Sequence, residues 1–293
     1  MSDTRVGVIG LGAMGGAVAE RLVSSGFTTS VYDTDEAAVN RIVAHGALPG
    51  TKTSVARCDV LLTSLPSDRN VLEAVIGSDA LSTLSGGTLI ELSTILPDTM
   101  KELAAHARKA DVHIVDSPVS GGPNEARAGT LVLLVGAEDA DVERARPVLD
   151  AIGTIERVGS VGQGKAMKLV NNTMSMGNMV VAAEAFTLGK SLGLEPRRMF
   201  DTLSRSGGRS HAFAKRIPYA LDDDFTARFA LYLGENDLRL ALEMAHGSGH
   251  PMPVAACIHQ VYETGLARGL AKEDMVAVIK VYGEWHVAAG GAP

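Results

Sequence analysis

The sequence has few aromatic residues, only two cysteines and no long apolar run. Aromatic side chains make up 4% of the chain, too few for the exposed ring platforms on which nucleic-acid bases stack. Cys58 and Cys257 cannot form a disulfide framework or a Cys-x-x-Cys site, so we interpret both as small buried hydrophobic side chains. No apolar stretch approaches the ~18 residues of a membrane span, and the first residues lack the apolar region of a signal peptide. We therefore expect a cytoplasmic protein.

The chain is long enough, at 293 residues, for one large domain or two ordinary ones. Hydrophobic residues make up 46% and charged residues 21%, which are the proportions of a globular protein with a sizeable core. The formal net charge of −7 argues against nucleic acid or an anionic membrane as the main partner. These values favour a small molecule as the partner.

The first half of the chain alternates short β-rich runs with helical patterns. The runs that we predict to be strands are Arg5–Ile9, Thr28–Tyr32, Val60–Thr63, Thr88–Leu92, His113–Val115 and Leu131–Val135. This alternation is typical of a doubly wound parallel sheet. Leu131–Val135 follows a glycine-rich loop, so we interpret it as an antiparallel addition to that sheet.

From about Gly164 onward the β signal disappears and helical patterns continue to the end. The predicted helices are Lys165–Gly193, Glu195–Ser204, Asp237–His246, Val254–Ala267 and Asp274–Trp285. Breaks are expected at Ser206-Gly207-Gly208, Pro218, Gly247–Pro253 and Gly269. We therefore predict a first domain over residues 1–163 and an all-helical domain over residues 164–293.

A glycine-rich loop lies between the first strand and the first helix. The residues Gly10, Leu11, Gly12, Ala13, Met14 and Gly15 fit the pattern G-x-G-x-x-G. One glycine makes a tight turn, one lets the backbone approach a diphosphate, and one lets helix and strand pack closely. The N-terminus of the helix then favours the negative charge of that diphosphate. The sequence thus predicts an α/β Rossmann doubly wound sheet that binds a dinucleotide, followed by an all-α helical domain for substrate binding and oligomerisation.

Asp33 follows the second strand, 18 residues past Gly15. A carboxylate at this point accepts a hydrogen bond from the ribose 2′-hydroxyl and repels a 2′-phosphate. We therefore expect NAD as the cofactor, preferred over NADP.

Three polar residues of the long apolar helix share one face. Lys168, Asn172 and Ser175 are spaced i, i+4 and i+7. A desolvated lysine beside a nicotinamide would act as a general acid or base, and Asn172 would orient it or the substrate hydroxyl. The alternative is a solvated lysine with two polar neighbours.

Four blocks of the sequence together carry a family resemblance. They are Gly10–Gly15, Asp116–Gly122, the run Gly162-Gln163-Gly164 followed by Lys168 and Asn172, and Phe229 with Asp237-Leu238. These blocks resemble, in order, the signatures of the β-hydroxyacid dehydrogenases. This is the 3-hydroxyisobutyrate dehydrogenase superfamily, which includes tartronate semialdehyde and succinic semialdehyde reductases. The likeness covers essentially the whole chain.

The resemblance implies a Rossmann domain, a helical domain and an active site in the cleft between them. It also implies hydride exchange between a nicotinamide cofactor and a 3-hydroxy acid or the matching aldehyde. Lys168 resembles the family's catalytic lysine and Asn172 its partner asparagine. The residues that resemble the loop holding the substrate carboxylate, through hydroxyl and backbone N–H donors, are Ser120, Gly121 and Gly122.

Two further segments resemble the family's cofactor contacts. Leu65, Pro66 and Asn70 resemble the loop under the nicotinamide ribose, and Thr94 resembles the threonine beside the nicotinamide. The first segment is equally compatible with a strand-end turn, because proline cannot continue a central strand. Thr94 is equally compatible with a helix N-cap, a role that Asp98 would also fill.

The fourth block contains Phe229 and Asn236, which the resemblance places at the cofactor. Most of the family has Lys-Asp here, with the lysine contacting the cofactor, whereas this chain has Asn236-Asp237. Asparagine still donates a hydrogen bond but brings no charge. The chain therefore departs from the family at a cofactor contact.

We expect an oxidoreductase that transfers a hydride between NAD(H) and a small 3-hydroxy acid or its semialdehyde, with Lys168 as general acid and base. Two alternatives stay open: a reductase of a bulkier or non-carboxylate carbonyl, and a catalytically silent dinucleotide-binding module. We expect no metal, because Gly247 and Gly249 interrupt the helix that would align His246 with His250. The long helix concentrates more apolar side chains than one helical layer buries, which predicts a homodimer or homotetramer through Met174, Met176, Met179, Val180 and Val181.

Overall fold

The computed structural model of the chain describes residues 4–285. They form two compact units, one through Lys168 and one from Leu169. The division falls inside the long helix at whose start the sequence places the domain boundary, at residues 163 and 164.

The described part of the first unit contains one sheet of nine strands. The strands are β1 Arg5–Ile9, β2 Thr28–Tyr32, β3 Leu48–Pro49, β4 Val60–Thr63, β5 Thr88–Glu91, β6 His113–Asp116, β7 Val119–Ser120, β8 Leu131–Gly136 and β9 Gly153–Gly159. Their order is β3-β2-β1-β4-β5-β6-β8-β7, with β9 paired to β8. Strands β1 to β6 pair in parallel, and β8 runs antiparallel to β6 and β7. Both the doubly wound parallel sheet and its antiparallel addition are confirmed.

Eight helices accompany these strands within the described part of the unit. They are α1 Ala13–Ser24, α2 Glu36–Val43, α3 Lys52–Val55, α4 Asp68–Val75, α5 Ala80–Thr83, α6 Pro97–Lys109, α7 Pro123–Ala128 and α8 Asp139–Ile152. The sheet is buried on both faces, and consecutive side chains enter different cores: Val8 and Leu62 pack on one face, Ile9 and Leu61 on the other. A strand buried on both sides is a nearly continuous apolar run, which is why these strands were visible in the sequence.

The second unit is all helical in its described part, as predicted. Its helices are α9 Gln163–Ser191, which begins in the first unit, α10 Pro196–Leu203, α11 His211–Leu221, α12 Leu231–Ser248, α13 Pro253–Ala267 and the 3₁₀-helix Met275–Tyr282. Phe186 lies at the centre of its core, with its ring centroid 5.7 Å from that of Phe213 and 6.5 Å from that of Trp285. These tilted ring pairs hold α9, α11 and the end of the described chain together.

The sequence predictions about these elements differ from the structure in several details. The short strands β3 and β7 and helix α11 were not predicted. Strand β9 was missed, because this edge strand is mostly polar and half-exposed. Pro218 does not end a helix as expected, because it lies inside α11, which continues to Leu221 even though the proline nitrogen has no N–H to donate. The segment Met275–Tyr282 is a 3₁₀-helix and not the α-helix expected over Asp274–Trp285.

The prediction that both cysteine side chains are buried is wrong for one of them. Cys257 is exposed on α13, so it is not the buried side chain that we expected. Cys58 is half-buried, and burial raises the pKa of its thiol to about 12. Within residues 4–285 no helix is long and apolar enough to cross a membrane. The cytoplasmic location stays a prediction.

Candidate active site

The predicted cofactor residues of the first unit lie along one edge of its sheet. Strand β1 lies between β2 and β4, so the direction in which the sheet grows reverses at β1. In open α/β sheets, ligands bind outside the carboxyl ends of the strands at this reversal. Gly10 directly follows β1, Asp33 follows β2 and Leu65 lies just beyond β4. The structure thus brings these three sequence-predicted positions to the edge where a ligand is expected.

The glycines of the loop differ in whether the surrounding protein leaves room for a side chain. Gly10 has a φ of +93°, and a Cβ there would clash with the backbone carbonyl of Ser64. A Cβ on Gly15 would clash with the carbonyl of Gly10. Around Gly12, by contrast, no atom lies within 4 Å of an added Cβ. The protein itself therefore requires Gly10 and Gly15, whereas it leaves open the space that a side chain at Gly12 would enter.

A cavity adjoins that open space. The cavity beside it measures about 360 Å³ and is lined by Leu11, Gly12, Ala13, Asp33 and Arg41, among others. Helix α1 begins after Gly12 with neither a side-chain cap nor an acidic residue in its first turn. Backbone N–H groups and the helix dipole therefore favour an anion at this point. The packing of the protein itself therefore gives no reason for a glycine at position 12.

Asp33 is held firmly at the edge of this cavity. Its Oδ2 accepts a hydrogen bond from the Leu11 amide at 2.5 Å, and its Oδ1 accepts one from the Asp35 amide at 2.9 Å. Arg41, which was not predicted from the sequence, donates to the Leu11 carbonyl at 2.9 Å and lines the same cavity. Arg41 lies eight residues beyond Asp33 on α2, so no motif connected the two.

The loops after β4 and β5 are joined to each other. The Leu65 amide donates to Ser93 Oγ at 2.8 Å, so the loop of Leu65 and Pro66 rests on the residue before Thr94. Thr94 is half-buried, and Asn70 lies exposed in the first turn of α4.

The capping alternative for Thr94 and Asp98 is wrong. Helix α6 begins at Pro97 with Leu96 as its N-cap, and no side chain caps it. Asp98 is instead paired with Lys101 at 2.8 Å.

The predicted substrate loop follows β6. Ser120 ends the short strand β7 and is half-buried. Gly121 has a φ of +129°, a backbone conformation that favours glycine. Gly122 is the N-cap of α7, and its amide donates to Glu125 Oε2 at 2.9 Å. A carboxylate that binds Gly122 would therefore compete with Glu125.

Lys168 is half-buried in the second turn of α9. Its Nζ donates to the carbonyl oxygen of Val119 at 2.7 Å, directly before Ser120. Lys168 is therefore partly withdrawn from solvent, and its head group is bonded at the loop that the sequence predicts to hold substrate.

A buried charged cluster near Lys168 was missed by sequence analysis. Lys165, Glu91 and Asp116 have no exposed side-chain surface, and the ammonium group of Lys165 contacts both carboxylates. The sequence features that could have indicated this cluster are two acidic residues at the ends of buried strands and a second lysine in the third block. Single-sequence patterns did not connect them because they are up to 74 residues apart.

In the second unit, Asn172 and Asp237 form a buried pair. The Nδ2 atom of Asn172 donates to Asp237 Oδ2 at 2.6 Å, and each residue is 5% exposed. Asn171 donates to the amide oxygen of Asn172 at 2.9 Å. These bonds fix the orientation of Asn172, the predicted partner of Lys168.

The other two predicted residues of the fourth block, Asn236 and Phe229, have different contacts. Asn236 is half-buried, and its Oδ1 accepts from Arg239 Nη2 at 2.7 Å, which brings a cation to the turn where the family has lysine. The Phe229 ring packs against the helical core, and its amide donates to Asp274 Oδ2 at 3.0 Å. Arg239 was not predicted from the sequence, because it lies outside the residues of the fourth block.

One group in the second unit has the composition of a cation site. The potential ligand atoms of Glu235, His259 and Glu263 lie within 4.8 Å of one another, and His259 Nε2 is 2.8 Å from Glu235 Oε1. Gly247 does not interrupt α12 as expected, because this helix continues to Ser248. Gly249 is its C-cap, so His246 lies in the last turn and His250 beyond the helix. The three-residue group joins α12 to α13 and is separate from the pair set aside in the sequence.

Two protein-family models match the chain. The NAD binding domain of 6-phosphogluconate dehydrogenase matches residues 5–173. The model described as NAD-binding of NADP-dependent 3-hydroxyisobutyrate dehydrogenase matches residues 162–282.

Similar proteins cover nearly the full length of the chain. A 2-(hydroxymethyl)glutarate dehydrogenase of Eubacterium barkeri is 40% identical over 285 residues, which is 95% of this chain and 94% of that protein. The human mitochondrial 3-hydroxyisobutyrate dehydrogenase is 33% identical over 95% of this chain and 87% of its own length. The structure of a Mycobacterium tuberculosis 3-hydroxyisobutyrate dehydrogenase with L-serine is 30% identical, with a TM-score of 0.87 over 94% of this chain and 98% of that one.

Proposed function

Because this chain belongs to the 3-hydroxyisobutyrate dehydrogenase-like family of β-hydroxyacid dehydrogenases, we propose that it transfers a hydride between NAD(H) and a small 3-hydroxy acid or its semialdehyde. The general activity follows from the family: the protein is an NAD(P)-dependent 3-hydroxyacid dehydrogenase acting on a CH–OH group. The observation that carries the finer proposal is the position of Lys168, whose Nζ is held 2.7 Å from the Val119 carbonyl beside the loop of Ser120.

The substrate class follows from what the named substrates of two relatives share. Both 2-(hydroxymethyl)glutarate and 3-hydroxyisobutyrate carry a hydroxyl on the carbon β to a carboxylate. We propose the same arrangement for the substrate of this chain. The Ser120 hydroxyl and the Gly121 amide would donate to the carboxylate, which would reach Gly122 only by displacing Glu125.

Lys168 would move the proton of the reaction. In oxidation, its neutral amine accepts the proton of the substrate hydroxyl as the hydride leaves the same carbon, and in reduction its ammonium returns a proton to the aldehyde oxygen. The bound nicotinamide supplies the hydride acceptor or donor. Asn172, oriented by Asp237, would hold the substrate oxygen in line with that proton transfer.

The cofactor would be held by the first unit. The loop Gly10–Gly15 would take the diphosphate, and Asp33 the 2′-hydroxyl of the adenosine ribose. Leu65, Pro66, Asn70 and Thr94 would border the nicotinamide half, with Phe229 and Asn236 supplied by the helical unit. We propose NAD as the preferred cofactor, because Asp33 would repel a 2′-phosphate, although Arg41 on the same cavity would reduce that repulsion.

A substrate panel tests the proposed activity. Purified protein with NADH should consume semialdehydes that carry a carboxylate and leave aldehydes of equal length without one almost unreacted. Lys168→Ala should lower kcat by roughly 10²–10⁴-fold, because that is the usual contribution of general acid–base catalysis. NADH affinity should stay within about twofold, since the dinucleotide is held mainly by the glycine loop.

Lys109→Ala is the matched control, because Lys109 lies exposed in the last turn of α6. It should keep wild-type kinetics. Near-normal kcat in Lys168→Ala, or a defect confined to cofactor binding, would show that Lys168 is not the general acid and base.

We also propose a homodimer or homotetramer formed through α9. Met176, Met179 and Val180 are buried in the helical core, but Met174 and Val181 are each 66% exposed. With Leu188, the exposed residues repeat every seven positions, the spacing of a helix–helix seam. Light scattering should give at least twice the mass of one chain, and Val181→Glu should reduce it; a single-chain mass at every concentration tested would contradict this assembly.

A further inference from the structure

We infer that Lys165 is a positioning residue for the proposed reaction: it ties the first turn of α9, which leads to Lys168, to the ends of strands β5 and β6. The inference rests on the proposed role of Lys168. The Nζ atom of Lys165 lies 2.5 Å from Glu91 Oε2, 2.8 Å from the Glu91 carbonyl oxygen and 3.3 Å from Asp116 Oδ1. The Glu91 carbonyl oxygen accepts a hydrogen bond from this ammonium group, whereas the two carboxylate oxygens contact it as ion pairs without hydrogen-bond geometry.

Stability alone is a poor reason for this cluster. Two carboxylates and one ammonium group carry a formal charge of −1 where none of the three side chains is exposed. Buried ion pairs seldom stabilise a fold more than well-packed apolar side chains do, because the charges lose their hydration. The connections of the cluster point to a different contribution.

The cluster is one of two attachments between the same two segments. Asp116 contacts Lys165, and three residues further along both segments Val119 accepts the hydrogen bond of Lys168. Lys165 and Lys168 are one turn apart on α9, so the helix is fixed to this loop at two successive points. Asp116 Oδ2 also accepts from the amides of Gly162 at 2.8 Å and Lys165 at 3.2 Å. The direction of Lys168 therefore depends on the attachment that Lys165 makes.

The start of α9 packs directly against the sheet, with no gap for a side chain at Gly164. A Cβ on Gly164 would lie 2.7 Å from Asp116 Oδ1 and 2.6 Å from the Leu134 carbonyl oxygen. Both distances are well inside van der Waals contact, so even a methyl group would push the helix away from the sheet. The glycine spacing of the third block is thus explained by the close approach of α9 to the carboxylate that Lys165 neutralises.

A second branch of the cluster reaches the predicted cofactor loop. Glu91 Oε1 accepts from the Ser93 amide at 3.0 Å, and Ser93 Oγ accepts from the Leu65 amide at 2.8 Å. The residues before Thr94 and within the Leu65 loop are therefore fixed by the carboxylate that Lys165 contacts. One buried ammonium group orders the general acid–base side chain and part of the cofactor surface together.

The test is Lys165→Met, which removes the charge and keeps a long apolar side chain. Without the ammonium group, the two buried carboxylates either share a proton or move apart, and in both cases the charged contact between the strand ends and the start of α9 is lost. Displacing a catalytic group by about 1 Å costs on the order of 10²-fold in rate. We expect kcat of the folded variant to fall by roughly 10–100-fold and its pH profile to shift, with substrate KM within about threefold.

Two further variants support this experiment. Lys165→Met combined with Glu91→Gln restores the formal charge of −1 without the ion pair, and it should fold where the single variant does not, while kcat stays low. Arg5→Met removes an ion-paired cation at the amino end of β1, where Arg5 Nη2 lies 3.1 Å from Asp59 Oδ1. This control should keep the wild-type kcat and pH profile.

The outcomes separate the inference from the proposed function. If either folded Lys165 variant keeps the wild-type kcat and pH profile, or if neither variant folds, Lys165 is structural and the inference is wrong. A wild-type protein that is inactive on every 3-hydroxy acid and semialdehyde overturns the proposed function, and this inference with it.

Discussion

The glycine loop of the first unit and the Asn172–Asp237 pair of the second are candidate functional groups of opposite kinds. The loop offers backbone N–H groups, and its shape is set by glycines that neighbouring carbonyl groups require. The pair offers side chains from residues 65 positions apart, with their polar atoms 2.6 Å apart and almost no exposure. A site of the first kind is specified within a few residues, whereas one of the second kind exists only after the helices have packed.

The largest effect that we expect distinguishes two glycines of the loop. Gly10→Ala should destabilise the fold by about 2–5 kcal/mol, because it combines a strained φ of +93° with a clash against the Ser64 carbonyl. Gly12→Ala should change stability by less than about 1 kcal/mol, since its Cβ meets open space. It should nevertheless raise the Kd for NADH by roughly tenfold, because the methyl group would occupy the position of the diphosphate.

Urea unfolding and NADH fluorescence titration measure the two effects separately. If Gly12→Ala bound NADH as tightly as the wild type, the diphosphate would not approach the backbone at that residue. If Gly10→Ala kept the wild-type free energy of unfolding, the loop would tolerate a conformation that the structure does not show.

The next effect concerns the side-chain pair. Asn172→Ala should lower kcat by roughly tenfold and stability by about 1–3 kcal/mol, because the buried Asp237 carboxylate loses a hydrogen-bond donor. Asn172→Asp should destabilise the protein more at neutral pH, since two carboxylates would then meet at this distance. Because such a pair holds one proton in the folded state, one of its pKa values is raised and the stability deficit should shrink as the pH falls.

Thermal unfolding at pH 5 and pH 8 checks the second half of that prediction. The difference in Tm between Asn172→Asp and the wild type should be smaller at pH 5. A deficit that is the same at both values would mean that water or another donor separates the two side chains.

Much of the fold could be predicted because its signals are local. Strands buried on both faces are apolar runs, so β1, β2 and β4 were identified to the residue. The strand–loop–helix arrangement identified the glycine loop, and Asp33 follows the next strand. The four signature blocks supplied Lys168 and Asn172 by resemblance, because spacing alone left a solvated lysine as an alternative.

The rest depends on contacts that are distant in sequence. Lys165 and Glu91 are 74 residues apart, and nothing in either local segment indicates that both are buried. Strand β9 was not predicted, because its half-exposed sequence lacks an apolar run and resembles a loop. It becomes a strand by pairing with β8. The position of Arg41 at the cavity of Asp33 was not predicted, because Arg41 lies on the next helix. These features form when elements pack, so no single segment contains their signal.

The smallest expected effect is on cofactor preference. Asp33→Asn keeps an oxygen to accept the Leu11 amide, which lies at 2.5 Å, while it removes the charge. The ratio of kcat/KM for NAD to that for NADP should fall by roughly tenfold, which corresponds to about 1.4 kcal/mol of relieved like-charge repulsion. Arg41→Met should move the ratio the other way, because Arg41 lines the same cavity and would attract a 2′-phosphate. Steady-state rates with both cofactors measure the ratio, and a wild-type preference for NADP, or an unchanged ratio in both variants, would show that Asp33 does not face the adenosine ribose.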